Sequence, residues 1–389
     1  MPNLAKRMLQ LKPEGAYAVL SHVRELERQG KRIIHFQIGE PDFPTPPHIA
    51  KAGIDAIKKG YTKYTPPLGI MPLREAIANT IQRTRNVEIS PKQIAVTPSG
   101  KNAIFTAMTA IIDPGDEVIH PSPCFPVYEV LADFLGAFRK PIPLLEENSF
   151  SFDMKVLRKQ FSKKTKLIIL NSPSNPTGGV IPLADLQEIA DMVKGTDCWV
   201  MTDEIYAGII YDNKKYHSFY SLKGVQDRTI LVDGFSKKYS MTGWRIGYIV
   251  APESILQPID YLLTHSIACT ATFTQYAALE ALRATDAIYQ PMVVEFEKRR
   301  NFVVSALNKI HGVSCQKPEG AFYVFPNIKL YKKKSKWIAE YILREANVAL
   351  LDGTAFGEYG EGFLRISYAS SLDLLQEGIS SIEKALTKL

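Results

Sequence analysis

The arrangement of apolar and polar residues divides the chain into short buried runs and longer amphipathic stretches. Apolar residues recur at three- and four-residue intervals over 183–193, which predicts a helix. Short β-rich runs predict buried strands at 117–120, 166–170, 198–203, 229–233 and 245–250. Strands that alternate with helices favour a mostly parallel central sheet with helices on both faces, so we predict an α/β fold.

The last hundred or so residues follow a different pattern. A charged helical run over about 291–310 precedes short strands near Phe322 and Phe363, and a final helix covers 372–386. The Gly- and Pro-rich segment 36–47 is typical of a connector. We therefore predict an N-terminal segment (1–45) that joins the small domain, a large domain (46–288) and a small C-terminal α+β domain (289–389).

Composition narrows the class of protein. The 389 residues are 46% hydrophobic and 22% charged, which indicates a globular chain with one large and one smaller domain. The formal net charge is +7, but the basic residues are spread along the chain. The densest run, 332–336, contains no aromatic residue, so we expect a solvated helix face and no nucleic-acid partner. A mild positive field suits an anionic cofactor or substrate.

Cysteine usage and the N-terminal sequence suggest a compartment. The chain has four cysteines without a C-x-x-C pair, and the seven histidines do not cluster with them along the sequence. We therefore expect buried thiols in a reducing compartment and no bound metal. The N-terminal stretch has basic residues without a long apolar run, and no segment is long enough to cross a membrane. These features predict a cytoplasmic protein.

One stretch carries most of the chemical information: GFSKKYSMTGWRIGY, residues 234–248. Here Lys237 follows the small polar Ser236 at a predicted strand end, and Arg245 comes eight positions later beside glycines. A lysine amine forms a Schiff base with an aldehyde cofactor if burial or nearby cations lower its pKa. An arginine can bind a phosphate through two hydrogen bonds. Taken alone, the spacing is equally compatible with a surface lysine pair beside a structural arginine.

The stretch resembles the cofactor-lysine signature of the fold type I pyridoxal-5′-phosphate (PLP) enzymes, in particular the aspartate aminotransferase-like class I and II aminotransferases. The resemblance covers essentially the whole chain. It implies that Lys237 is catalytic and carries the cofactor, with Ser236 beside it and Arg245 on the phosphate. Lys238 stands where family members usually have a small residue. The implied architecture is the PLP-dependent transferase fold.

Further motifs follow in the family's order. The turn TPSGKNAIF, 97–105, opens a helix whose backbone N–H groups form an anion site, and the resemblance implies that Gly100 and Lys101 hold the phosphate. It also implies that Phe125 stacks on the pyridine ring. In NSPSNPTGG, 171–179, it implies that Asn175 bonds the ring's 3′-oxygen and contacts the substrate. Each motif alone could be a helix cap, a core aromatic residue or a turn.

The same resemblance assigns the pyridine nitrogen and the second subunit. In MTDEIY, 201–206, it places Asp203 beside the nitrogen, where a carboxylate keeps the ring protonated as an electron sink. It places Tyr206 on the 3′-oxygen. Tyr64 matches a residue that reaches the phosphate of the neighbouring subunit, which implies a homodimer. Gly39 and Arg365 match residues at the substrate carboxylate, and an arginine fork is its natural partner.

The residues leave the substrate open. In relatives that use acidic amino acids, a lysine at the position of Lys101 contacts the distal carboxylate, which favours aspartate or glutamate with a 2-oxo acid acceptor. However, Glu14 and Ala16 stand where those relatives carry hydroxyl residues, and Glu14 could pair with Lys101. That pair would favour a neutral, aromatic or basic side chain. A C–S β-lyase on the same fold is a further alternative. No nicotinamide or Walker-type phosphate motif is present.

Overall fold

The computed structural model describes residues 4–11, 13–284 and 286–389. Its helices are α1 (Gly15–Arg28), α2 (Pro47–Lys58), α3 (Met71–Arg85), α4 (Gly100–Ile111), α5 (Val127–Phe134), α6 (Met154–Gln160), α7 (Leu183–Val193), α8 (Glu253–Ser266), α9 (Thr272–Arg283), α10 (Gln290–Leu307), α11 (Ser335–Ala346) and α12 (Leu372–Leu386). Its strands are β1 (Ile34–His35), β2 (Ile94–Thr97), β3 (Glu117–Ser122), β4 (Phe138–Leu145), β5 (Ser151–Phe152), β6 (Thr165–Asn171), β7 (Trp199–Asp203), β8 (Thr229–Gly234), β9 (Gly247–Val250), β10 (Tyr323–Val324), β11 (Val348–Ala349), β12 (Leu351–Asp352) and β13 (Leu364–Ser367).

An eight-stranded sheet in the order β2-β9-β8-β7-β6-β3-β4-β5 forms the centre of the molecule. The inner strands β8, β7, β6, β3 and β4 pair in parallel, whereas β9 and β5 pair antiparallel to their neighbours. This arrangement confirms the predicted α/β fold. The predicted strand at 245–250 is wrong at its start, because Arg245 has a φ of 54° and extended structure begins only at Gly247.

Helices cover both faces of this sheet, as predicted. Side chains alternate along β6, so that Leu167 and Ile169 pack into a core with α4 and α8. Ile168 and Leu170 point to the opposite face and pack with α7. Because both faces are buried, the middle residues of β6, β7 and β8 are apolar, and this is why these strands were recognisable in the sequence.

A smaller layer lies in the C-terminal part. Strand β13 pairs antiparallel with β10 and β12, and the N-terminal strand β1 pairs in parallel with β11. The final helix has the predicted bounds, whereas α10 ends at Leu307 and not at 310. Asn308, the residue after this helix, fixes the chain beyond it, because its side-chain amide accepts from the N–H of Cys315 at 2.8 Å and donates to the Cys315 carbonyl at 3.0 Å. The proposed domain boundaries remain a prediction.

The cysteines are free thiols, and three of the four are buried. We expected no histidine to cluster with a cysteine, and this prediction is wrong for Cys124. The chain turns back after β3, so that Nδ1 of His120 lies 3.8 Å from Sγ of Cys124 and 3.9 Å from Glu129. Arg139 supplies the cation of this cluster, 3.3 Å from Glu129, and burial lowers the pKa of His120 to about 4. Within the described ranges, no helix is long and apolar enough to span a membrane.

Candidate active site

A cavity of about 370 Å³ opens at the carboxyl ends of the parallel strands. Ligands bind at this edge of open α/β sheets because the strand ends and helix N-termini converge there. Its lining includes all but one of the site residues predicted from the sequence: Gly39, Gly100, Lys101, Phe125, Asn175, Asp203, Tyr206, Ser236, Lys237, Arg245 and Arg365. The fold therefore brings together residues that lie far apart along the chain.

Lys237 lies just after β8 and points into this cavity. Its Nζ donates a 2.7 Å hydrogen bond to the carbonyl of Gly39. Burial lowers the pKa of the Lys237 ammonium to about 8, although the Glu40 carboxylate opposes this shift. The guanidinium groups of Arg365 and Arg245 add to the lowering. About a tenth of this amine is therefore uncharged at pH 7, far more than for an ordinary lysine, and can act as a nucleophile or base.

Asp203 ends β7 and is nearly fully buried. Its carboxylate accepts hydrogen bonds from the hydroxyl of Tyr128, at 2.7 Å, and from the backbone N–H of Ile205, at 3.2 Å. Burial raises the pKa of Asp203 to about 6, while these two donors oppose the rise. Sequence reasoning missed Tyr128, which lies three residues after Phe125 and packs edge to face on its ring, with ring centroids 5.9 Å apart.

An anion site lies at the start of α4. The hydroxyl of Ser99 caps this helix by accepting from the N–H of Asn102, at 3.1 Å. Gly247 lets β9 approach closely, since a Cβ there would lie 2.5 Å from the nitrogen of Gly100. The guanidinium of Arg245 lines the same cavity and is exposed. Helix N–H groups together with an arginine provide the donors that a phosphate requires.

Arg365 lies on β13 with only 3% of its surface exposed. It donates to the side-chain oxygen of Asn175, at 3.2 Å, and to the carbonyl of Gln37. Its Nε is buried without a partner, and no carboxylate in the described ranges forms an ion pair with it. Burial lowers the pKa of Arg365. A buried guanidinium with an unused donor is suited to bind a carboxylate from a ligand.

Two tyrosines meet beside Lys237. The hydroxyls of Tyr206 and Tyr323 are 2.8 Å apart, and burial raises the pKa of Tyr206 well above its usual range. The Tyr323 hydroxyl also lies against Gly39, where a Cβ would have no room. Sequence reasoning missed Tyr323, because nothing in the local pattern distinguishes it from a core aromatic residue.

Tyr64 is the one predicted site residue outside the cavity. Its side chain is 88% exposed, so it contributes nothing to the site of its own chain. Lys238 also lies outside the main cavity. Its stem packs where a Cβ on Gly208 would stand, and its ammonium lies 5.1 and 5.2 Å from the rings of Tyr239 and Tyr289. Of the two neighbouring lysines, Lys237 is therefore the one that faces the site.

The residues present fit PLP. Lys237 has the lowered pKa that a carbonyl-binding lysine needs, and Asp203 supplies a buried carboxylate for a ring nitrogen. The α4 N-terminus and Arg245 supply donors for a phosphate. The unpartnered Nε of Arg365 leaves a second anion position for a substrate. A cavity of about 370 Å³ is within the range of ligand pockets.

Comparison with known proteins agrees with this site. The model of the family "Aminotransferase class I and II" matches residues 31–382. A probable aspartate/prephenate aminotransferase of Aquifex aeolicus is 40% identical, over 100% of this chain and 99% of that relative. An aromatic-amino-acid aminotransferase of Thermococcus litoralis is also 40% identical, over 91% and 92% of the two chains. The crystal structure of the aspartate aminotransferase from Rhizobium meliloti superposes with a TM-score of 0.95, at 32% identity over 100% of each chain.

The fold and the site define a PLP-dependent aminotransferase of fold type I. The chain belongs to the aminotransferase class I and II family. This membership confirms the family, the fold and the cofactor that were expected from the motifs around Lys237.

Proposed function

We propose that this enzyme transfers the amino group of aspartate or glutamate to a 2-oxo acid. The observation that carries the proposal is the presence of two cations in one cavity: Lys101 and the buried Arg365, whose Nε is free and which has no carboxylate partner in the described part of the chain. Both line this cavity with Lys237. A dicarboxylic amino acid brings two carboxylates, and these two cations, Arg365 and Lys101, are matched to them. A relative named for aspartate and prephenate at 40% identity supports this substrate class.

Arg365 and Lys237 have separate roles in the proposed reaction. PLP, when bound, supplies the electron sink that stabilises negative charge at the substrate Cα. Arg365 binds the α-carboxylate and fixes the orientation of the Cα–H bond. Lys237 would hold the cofactor through Nζ, and the same Nζ, once the substrate amine has taken its place, would accept the proton of the substrate Cα and donate it in the protonation step that follows. Its pKa of about 8 makes this amine a suitable base near neutral pH.

The other site residues hold the cofactor. Asp203, fixed by Tyr128, carries the charge that keeps the pyridine nitrogen protonated. Asn175 and Tyr206 would bond the 3′-oxygen, and Phe125 would pack on the ring. The phosphate would be held by the backbone N–H groups of Gly100 and Lys101 at the start of α4, together with Ser236 and Arg245. Gly39 contributes its carbonyl next to Lys237 and lies near the substrate carboxylate.

We further propose a homodimer in the cytoplasm. The exposed ring of Tyr64, 88% accessible, is available to complete the site of a second copy. Free, mostly buried thiols suit a reducing compartment.

The test is an absorbance spectrum of the purified enzyme as single L-amino acids are added without any 2-oxo acid. A change of the cofactor band with aspartate or glutamate supports the proposal. A change only with neutral, aromatic or basic amino acids would reject the dicarboxylic substrate and retain amino transfer. Release of both pyruvate and ammonia over many turnovers, from an amino acid with a β-leaving group and without an acceptor, would reject transfer in favour of β-elimination.

A further inference from the structure

Two opposite charges pair inside the cavity. Nζ of Lys101 lies 2.5 Å from Oε2 of Glu14, and both residues line the cavity that holds Lys237 and Arg365. Lys101 belongs to the first turn of α4, and Glu14 directly precedes α1. The pair therefore cancels the charge of the cation proposed for the distal carboxylate of a substrate.

Aromatic rings flank this pair. Nζ of Lys101 lies 5.6 Å from the centre of the Tyr17 ring and 5.2 Å from that of Phe125. Such cation–π contacts hold the ammonium between the two rings. Leu20 and Phe356 line the same cavity. With the ion pair formed, this wall offers aromatic and aliphatic surface without net charge.

Glu14 is free to leave the pair. Its side chain makes no capping hydrogen bond to α1, and Lys101 is its single ion-pair partner in the described ranges. The side chains of Glu14 and Lys101 are 27% and 41% exposed. Partly exposed ion pairs contribute little net free energy, so another carboxylate can replace Glu14 while Glu14 turns into water.

We propose that Glu14 sorts two classes of substrate by competing for Lys101. A dicarboxylic amino acid or 2-oxo acid displaces the Glu14 carboxylate and takes its place on Lys101. An aromatic or other apolar side chain binds while the Glu14–Lys101 pair stays formed. The inference rests on the proposed amino transfer, because a transaminase must accept a donor and an acceptor with different side chains in one pocket.

The geometry disfavours a cationic side chain. The ammonium group of such a substrate would have to displace Lys101 from the Glu14 carboxylate. Lys101 would then have lost its ion pair but would still lie beside the rings of Tyr17 and Phe125. Lys101 and the substrate cation would then repel each other. Exchange of the anion instead moves Glu14, whose side chain is 27% exposed just before α1.

The experiment measures binding of two unreactive acids to the holoenzyme by calorimetry. Succinate carries a distal carboxylate and 3-phenylpropanoate an aromatic ring, and neither has an amino group to react. In Glu14→Gln we expect the dissociation constant of succinate to fall about tenfold and that of 3-phenylpropanoate to change less than about threefold. In Lys101→Met we expect succinate to bind at least about tenfold more weakly, again with little effect on the aromatic acid.

A matched control is Glu25→Gln, which removes a carboxylate on α1 that pairs with Arg28 at the surface and should change neither constant. An unchanged succinate constant in Glu14→Gln, or equal changes for both acids, overturns the proposal. The same preparations are mixed with L-aspartate to separate the two hypotheses. If the cofactor band responds to aspartate but the succinate constant of Glu14→Gln is unchanged, only the proposed role of Glu14 is rejected. If the band responds to no amino acid, the proposed function is rejected as well.

Discussion

The guanidinium of Arg300 forms two parallel hydrogen bonds with the carboxylate of Asp212, each 2.8 Å long, and thereby joins α10 to the loop after β7. Arg300 is completely buried and lies over the ring of Tyr211, 4.6 Å from its centre. The charge-assisted bonds hold the pKa of Asp212 well below its usual range. This pair links segments 88 residues apart.

Removal of the Asp212 carboxylate should destabilise the protein. In Asp212→Asn the buried Arg300 loses its bidentate carboxylate and keeps only Glu297, 3.5 Å away, so we expect the free energy of unfolding to fall by about 2 kcal/mol. Asp227→Asn, which breaks a surface pair with Arg228, should cost less than about 1 kcal/mol. Denaturant unfolding of both variants checks this, and equal losses would contradict it. Because the folded pKa of Asp212 is depressed, its contribution is present above the usual carboxyl range and lost as pH falls through that range towards the folded pKa.

The two neighbouring lysines should behave differently. Lys237→Ala should abolish both the visible band of the lysine-bound cofactor and turnover, because its amine faces the site. Lys238→Ala should keep the band, since that ammonium lies over Tyr239 and Tyr289 outside the main cavity. Absorbance spectra with added PLP decide the matter. A band that survives in Lys237→Ala would overturn the assignment.

Capture of PLP by cofactor-free enzyme should depend on pH with a midpoint near 8. The uncharged amine is the nucleophile, and the pKa of Lys237 is lowered to about 8 from an ordinary 10.5. The rate should therefore rise about tenfold per pH unit below the midpoint and level off above it. Stopped-flow absorbance measures the rate. A rate that still rises steeply at pH 10 would mean that burial does not shift this lysine.

Tyr128 should maintain the charge of Asp203. Tyr128→Phe removes a 2.7 Å donor from a buried carboxylate whose pKa is already about 6, so that pKa should rise further. We expect PLP to dissociate at least about tenfold more readily, since a charge-assisted bond contributes about 1.5–3 kcal/mol. The control is Tyr220→Phe, because the Tyr220 hydroxyl is buried and has no hydrogen-bond partner among the described residues. Fluorescence titration with PLP compares the two; equal weakening would indicate a packing effect.

Arg365→Lys should weaken every substrate, whatever its side chain. A lysine keeps the charge but loses the planar fork that binds the α-carboxylate. We expect kcat/KM to fall about a hundredfold for aspartate and for aromatic amino acids alike. Lys101→Met should affect the dicarboxylic substrate alone. Steady-state kinetics with both substrate classes distinguish the role of Arg365 from that of Lys101. An unchanged KM in Arg365→Lys would mean that Arg365 has a structural role.

The sequence alone was informative where structure depends on local chemistry. Buried parallel strands are apolar on both faces. Both ends of β3, β6, β7 and β8 were therefore predicted to within two residues. Turn and helix-start motifs placed Asn175, Gly100 and Lys237 at strand ends, and such ends meet at one edge of a parallel sheet. The start of β9 was misplaced, because the left-handed backbone of Arg245 has no reliable signature in a non-glycine residue.

Tertiary structure alone decided the contacts between distant segments. The partners of Asp203 and Tyr206, namely Tyr128 and Tyr323, are 75 and 117 residues away from them. The pairing of Glu14 with Lys101 across 87 residues was open from the sequence and is resolved by the position of α1. Periodicity and turn propensity describe interactions over a few residues. The hydrogen bonds that set the charge of this site depend on how whole elements pack, and no local pattern contains that information.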